Sequence, residues 1–194
     1  KSRILMKKNV LKGAAASVIL LTTLAFTTMK KEINIKESNV TWKGEKVTGS
    51  HTGTIGLKSG FFNMEDEKLV GGEFVIDMTS LTNTDLSGES KQKLEGHLKS
   101  EDFFGVEKHP TSKLVITSVA EKGNGAYGVV GNLTIKNITK PVTFDLNMKE
   151  NSASAKLTID RSKYDVKYGS GSFFDSLGDK TIYDNFDLTV NLKF

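Results

Sequence analysis

Apolar side chains recur at every second position along most of this chain. Val40 and Trp42 alternate with Thr41 and Lys43. Phe74, Ile76 and Met78 alternate with Val75 and Asp77. Leu133 and Ile135 are followed, after an expected turn at Asn137-Ile138-Thr139, by Val142, Phe144, Leu146 and Met148. Leu157 and Ile159 alternate with Lys156, Thr158 and Asp160, and Leu188, Val190, Leu192 and Phe194 close the sequence. Successive side chains of a strand point to opposite faces, so a period of two makes a sheet with one apolar face and one wet face. Turn signals separate the runs: Lys43-Gly44, Ser59-Gly60, Gly71-Gly72, Gly123-Asn124-Gly125 and Glu150-Asn151-Ser152. Eight or nine strands at hairpin spacing favour an antiparallel sheet closed into a barrel or folded into a sandwich. Helical periodicity breaks in once, over Ser87–Lys99. Ser87 is placed to cap that helix, and Leu94 and Leu98 share one of its faces. It is expected to lie across one barrel end.

The N-terminal stretch has a different character. Lys7, Lys8 and Lys12 precede a run from Ala14 to Phe26 that is apolar except for Ser17, Thr22 and Thr23. A basic start followed by a short apolar core reads as a secretory signal peptide over residues 1–26, with cleavage a few residues either side of Phe26. Lys1–Leu5 precede Met6, which fits an upstream start or an added stretch. The expected product is one domain over 27–194, periplasmic or secreted. Lys1, Arg3, Lys7, Lys8 and Lys12 also account for the basic balance, because the remainder carries 22 Lys and Arg against 23 Asp and Glu. A nucleic-acid partner is therefore not expected, since phosphate backbones call for a basic surface. The chain has no cysteine, which excludes disulfides, thiolate metal sites and cysteine nucleophiles.

An eight-stranded barrel has a lumen that is either filled by side chains or holds one small ligand. Large apolar residues stand at alternating positions, Trp42, Phe74, Ile76 and Phe144 among them. Alternation leaves open which set faces inward, and a dry packed core remains the alternative.

Five blocks in order resemble the YceI family. They are Val40-Thr-Trp-Lys-Gly44 with Gly49-Ser-His-Thr-Gly-Thr54; Ile76-Asp-Met-Thr-Ser-Leu81; His97-Leu-Lys-Ser-Glu-Asp-Phe-Phe104 with Pro110; Gly131-Asn-Leu-Thr-Ile-Lys-Asn-Ile-Thr-Lys-Pro-Val142; and Lys167-Tyr-Gly-Ser-Gly-Ser-Phe-Phe174 with Leu177-Gly-Asp-Lys-Thr-Ile-Tyr-Asp184. In the fourth, Asn137 replaces a more usual glycine. The resemblance implies an all-β fold, an eight-stranded antiparallel lipocalin-like barrel with one helix in a crossover. It implies export to the periplasm or beyond, an association with envelope stress, and no enzymatic activity. The lumen would bind a long-chain isoprenoid or similar fatty amphiphile, without a cofactor. Family members are often dimeric, which leaves a homodimer open. The expected lining is Trp42, Phe74, Ile76 and Met78 with Leu133, Ile135, Phe144 and Leu157, joined by Phe103 and Phe104 at the end of the helix. His51 and His97 are expected at the mouth, as partners for a ligand headgroup or as plain hydrogen-bonded polar groups.

Other chemistry has little support in the residues. His51, His97 and His109 match no metal-ligand spacing, and His109, before Pro110, reads as part of a surface turn. No G-x-S-x-G elbow frames a serine, and Gly169-Ser-Gly-Ser172 lacks the Lys-Ser/Thr pair of a phosphate loop. Phe173, Phe174 and Leu177 beside that glycine-rich loop are expected either to pack over the barrel mouth or to form a dimer contact. The second functional reading is a small integral outer-membrane barrel. The apolar leader and terminal Phe194 fit it; the central helix, the scarcity of Trp and Tyr, and outward lysines such as Lys113, Lys136 and Lys156 oppose it.

Overall fold

A computed structural model describes residues 28–194 of the chain. The expected leader at 1–26 lies outside the described residues. The elements are β1 (Thr28–Glu32), β2 (Asn39–Lys46), β3 (Gly49–Glu65), β4 (Lys68–Asn83), α1 (Gly88–Lys99), β5 (Thr111–Gly123), β6 (Ala126–Ile135), β7 (Ile138–Lys149), β8 (Ser152–Asp160) and β9 (Ile182–Lys193).

From β2 onward each strand pairs antiparallel with the next, and β9 pairs back onto β2 from Asn39↔Asn191 to Gly44↔Phe186. The sheet is thereby a closed barrel and its strands have no free edge along the seam. β1 and β2 both lie on the edge of β3 that faces away from β4. They are two pieces of one stave, parted by a 3-10 turn at Ile35–Glu37. Nine strands thus make the eight staves expected of the barrel.

Several glycines read as turns lie inside long strands. Gly44 is in β2, Ser59-Gly60 in β3 and Gly71-Gly72 in β4. The true corners of the two longest strands are Val47-Thr48 and Asp66-Glu67. Asp66 and Glu67 both take positive φ, as do Asn124 with Gly125 and Lys136 with Asn137. That is the backbone of the two-residue hairpin turn whose twist matches the strands. The turn expected at Asn137–Thr139 is accordingly Lys136-Asn137, and Ile138 already belongs to β7. Gly60 serves close packing instead: a Cβ there would stand 2.8 Å from the ring of Phe74.

α1 starts at Gly88, and Ser87 occupies its N-cap position without a capping bond from its hydroxyl. None of its residues is fully buried. The loop after it turns Phe103, Phe104 and Val106 into the core, so the helix and this loop together close one end of the barrel. The turns between β3 and β4, β5 and β6, and β7 and β8 form the opposite end, where Phe194 donates its N–H to Asn151 at 3.4 Å. The inward set is the apolar one. Ala153, Ala155, Leu157 and Ile159 are all buried, while Lys156 and Thr158 between them are exposed.

Candidate functional site

The lumen is packed at one end and hollow at the other. Away from α1, Phe62, Met64, Leu69, Phe74, Tyr127, Val129, Leu146 and Leu192 are buried together. Phe62 lies edge-on to Phe74 with ring centroids 5.0 Å apart, and to Phe194 at 5.7 Å. Beneath α1 a cavity of about 130 Å³ remains. Its wall comes from Val40 and Trp42 on β2, Ile55 on β3, Ile76, Met78 and Leu81 on β4, Leu133 and Ile135 on β6, and Ile182, Phe186 and Leu188 on β9. Leu98 of α1 and Phe103 and Phe104 of the following loop roof it.

Seven of the expected lining residues therefore meet around one space: Trp42, Ile76, Met78, Phe103, Phe104, Leu133 and Ile135. Phe74 is buried outside that lining, two residues along β4 from Ile76. Phe144 and Leu157 pack in the core, likewise outside the cavity wall. Alternation along a strand gives the face of a residue but not its level on the barrel axis, which is why these three separate from the rest.

The two histidines stand away from the cavity wall. His51 on β3 shares a hydrogen bond of 3.0 Å with Asp85, which also accepts from the Thr52 amide at 3.2 Å. His97 packs edge-on against Tyr168 and Phe103, with centroids 4.3 and 5.5 Å apart. Burial pushes its pKa below the usual histidine value, and the nearby Asp102 only partly opposes this. His109 is half-buried against Gly105, so it is less exposed than a surface turn implies. Phe173 and Phe174 are 43% and 50% exposed and line no part of the cavity.

The polar part of the wall was not legible as such. At the seam, Gly44 pairs with Phe186 and Lys46 with Ile182, so Glu45 alone faces Tyr183, Asp184 and Asn185. Glu45, Tyr183 and Asn185 are exposed and also line the cavity, and they mark its opening to solvent. Arg161, 2% exposed, holds this irregular seam. It donates from Nη1 to the Val166 carbonyl at 2.7 Å, from Nη2 to Ile182 at 2.9 Å and from Nε to Tyr183 at 3.1 Å, with Asp184 3.4 Å away. Desolvation lowers its pKa, while Asp184 and Asp160 favour the charged form. In the sequence, Arg161 reads as an ordinary loop cation. Ser112 also lines the cavity and donates to the Thr134 carbonyl at 2.7 Å. Trp42 carries the one fully buried side-chain polar group of the wall without a partner among the described residues, its indole N–H.

A closed antiparallel barrel with one filled end and one hollow, apolar end that opens through a polar seam defines a class: a small β-barrel with a lumen cavity. The chain belongs to the YceI-like domain family, which it matches over residues 32–194. A UPF0312 protein of Shewanella denitrificans is 30% identical over 148 residues, 71% of each chain. A UPF0312 protein of Serratia proteamaculans is 48% identical over 52 residues, 27% of each. Among solved structures, BcnA of Burkholderia cenocepacia shares the fold with a TM-score of 0.62 at 20% identity, over 82% of this chain and 98% of its own. A polyisoprenoid-binding domain from Saccharophagus degradans, implicated in plant cell wall breakdown, shares it with a TM-score of 0.57 at 11% identity, over 87% and 97%.

Proposed function

We propose that this protein is an exported carrier that binds an isoprenoid or similar amphiphile, with an apolar segment held in the barrel beneath α1. The observation that carries the reading is the cavity itself, apolar in its wall and polar at its opening. Its size sets what it takes. About 130 Å³ is close to the ~150 Å³ of an apolar cavity that admits benzene, so the ligand-free barrel holds roughly one five-carbon unit. At about 0.8 kcal/mol per buried CH₂, that segment alone contributes about 4 kcal/mol. The rest of a longer chain requires side-chain movement or leaves through the seam at Glu45, Tyr183 and Asn185. Twelve residues are assigned to this reading in two groups. Trp42, Ile76, Met78, Leu133, Ile135, Phe103 and Phe104 touch the segment; Phe74, Phe144, Leu157, His51 and His97 shape or border its surroundings.

The outer surface favours a water-facing barrel over an integral membrane one. Outward positions in mid-strand carry Lys43, Asp145, Lys156 and Asp187, all exposed, where a lipid-facing barrel needs an apolar band. The likeness to a polyisoprenoid-binding domain supports an apolar ligand, and the sequence of residues 1–26 supports export.

The test is native mass spectrometry with organic extraction, on protein purified from its own cells beside the Ile76→Asp variant. The reading expects an extractable amphiphile on the parent protein and its loss from the folded variant. An empty parent protein, or equal ligand on both, contradicts it.

A further inference from the structure

We propose that Phe74, the first inward residue of β4 beyond the cavity wall, blocks extension of the cavity as its floor and sets how long an apolar chain the barrel accepts; this rests on the carrier reading above. Ile76 and Met78 line the cavity from β4, and the next inward residue of that strand, Phe74, does not. Its ring is only 7% exposed and lies edge-on to Phe62, which lies edge-on to Phe194. Three aromatic rings thus interlock in the packed part of the lumen, outside the cavity wall. Met64, Leu69 and Val129 are buried in the same core and line no part of the cavity.

The ring is held in place from the facing strand. Phe74 pairs with Gly60 across β3 and β4. A Cβ on Gly60 would approach Phe74 to 2.8 Å and Ile33 to 3.3 Å, so the absent side chain is the space the ring occupies. A packed interior of this kind does not yield smoothly to an added methylene. A chain entering from the seam gains contact until it reaches the ring, and further carbons gain none.

The consequence is a ceiling in a homologous series. Dimethylallyl alcohol, geraniol and farnesol, all prenols with one hydroxyl, are titrated calorimetrically against the parent barrel, Phe74→Ala, Phe74→Leu and the outward control Val75→Ala. The parent and Val75→Ala hold one five-carbon unit and are expected to gain less than threefold with each longer prenol. Phe74→Ala, with room for a second unit, is expected to bind geraniol at least tenfold more tightly than dimethylallyl alcohol, and Phe74→Leu to shift the same way by less. Should Phe74→Ala fail to fold by circular dichroism, Phe74→Leu carries the comparison. A parent affinity that climbs steeply through all three prenols overturns the floor, as does an unchanged length profile in the folded Phe74 variants. Failure of every prenol to bind any of the proteins instead overturns the carrier reading, and the floor with it.

Discussion

Glu95 of α1 is bonded to Thr82 of β4: its Oε1 accepts from the Thr82 hydroxyl at 2.5 Å and from the Asn83 amide at 2.7 Å. A helix without one fully buried residue is thus docked on the barrel rim by a carboxylate as well as by Leu98. The Thr82 hydroxyl, then the Asn83 amide, hold the Glu95 pKa below the usual carboxylate value. A depressed folded pKa contributes stability that is present above the unfolded value, about 4.3, and is lost as pH falls through the folded one. Glu95→Gln is expected to cost about 1 kcal/mol at pH 7, and the gap to the parent protein should shrink below about pH 4. Urea unfolding at both pH values checks this; a gap that grows on acidification contradicts it.

The His97 ring is the second source of pH dependence. Its folded pKa is lowered by burial. Between the unfolded value, about 6.5, and the folded value, the unfolded chain binds a proton that the folded chain does not. Stability is therefore lost as pH falls through that window. His97→Gln has no such titration, so the stability of the parent relative to it should decline from pH 7 towards pH 5. Parallel thermal melts across that range measure it, and a constant difference would count against a buried neutral ring.

Arg161 satisfies the Val166 carbonyl in the loop before β9 and the Ile182 and Tyr183 carbonyls at the start of that strand. Arg161→Ala leaves those groups and Asp184 without their cation, at an expected cost of about 3–5 kcal/mol. Arg161→Lys should recover little of it, because an ammonium cannot reproduce the planar fork of donors. Denaturant midpoints report the loss. Proteolysis after Lys167 or Lys180 should rise in both variants if the guanidinium is what holds the loop.

The indole N–H of Trp42 has no acceptor, so a ligand that brings an oxygen to it gains a hydrogen bond. Trp42→Phe keeps an aromatic wall and removes the donor. It should weaken a prenol or prenyl ketone by about 0.5–1.5 kcal/mol and leave the matching hydrocarbon nearly unaffected. Equal effects on both, by calorimetry, would assign Trp42 to packing alone.

Much of the barrel was legible because alternation fixes faces. Alternation put Phe74, Ile76 and Met78 on one face but left open whether it points inward, which their burial decides, and helical periodicity gave the helix over nearly its whole length. The glycine corners were misread because Gly60 and Gly72 sit in strands where neighbours approach too closely for a Cβ. The hairpin turn at Asp66-Glu67 carries no glycine and gave no signal, and the one at Lys136-Asn137 was placed a residue too late because it too lacks a glycine. Within the site, Phe74, Phe144 and Leu157 share the inward face of the cavity residues but not their level, which depends on the tilt and stagger of the closed sheet. Arg161 and the Tyr183–Asn185 bulge arise from pairing across the seam between the first and last staves, and no local pattern foretells it.

Trp42 is the single tryptophan of the chain and part of the cavity wall, so its emission reports directly on what enters. Titration of the barrel with geraniol should give a saturable change in Trp42 fluorescence at one ligand per barrel. The change should be abolished in folded Ile76→Asp and retained in Val75→Ala. Emission that stays constant through saturating ligand, or that shifts identically in Ile76→Asp, would show that the hollow end of this barrel is not where an apolar ligand binds.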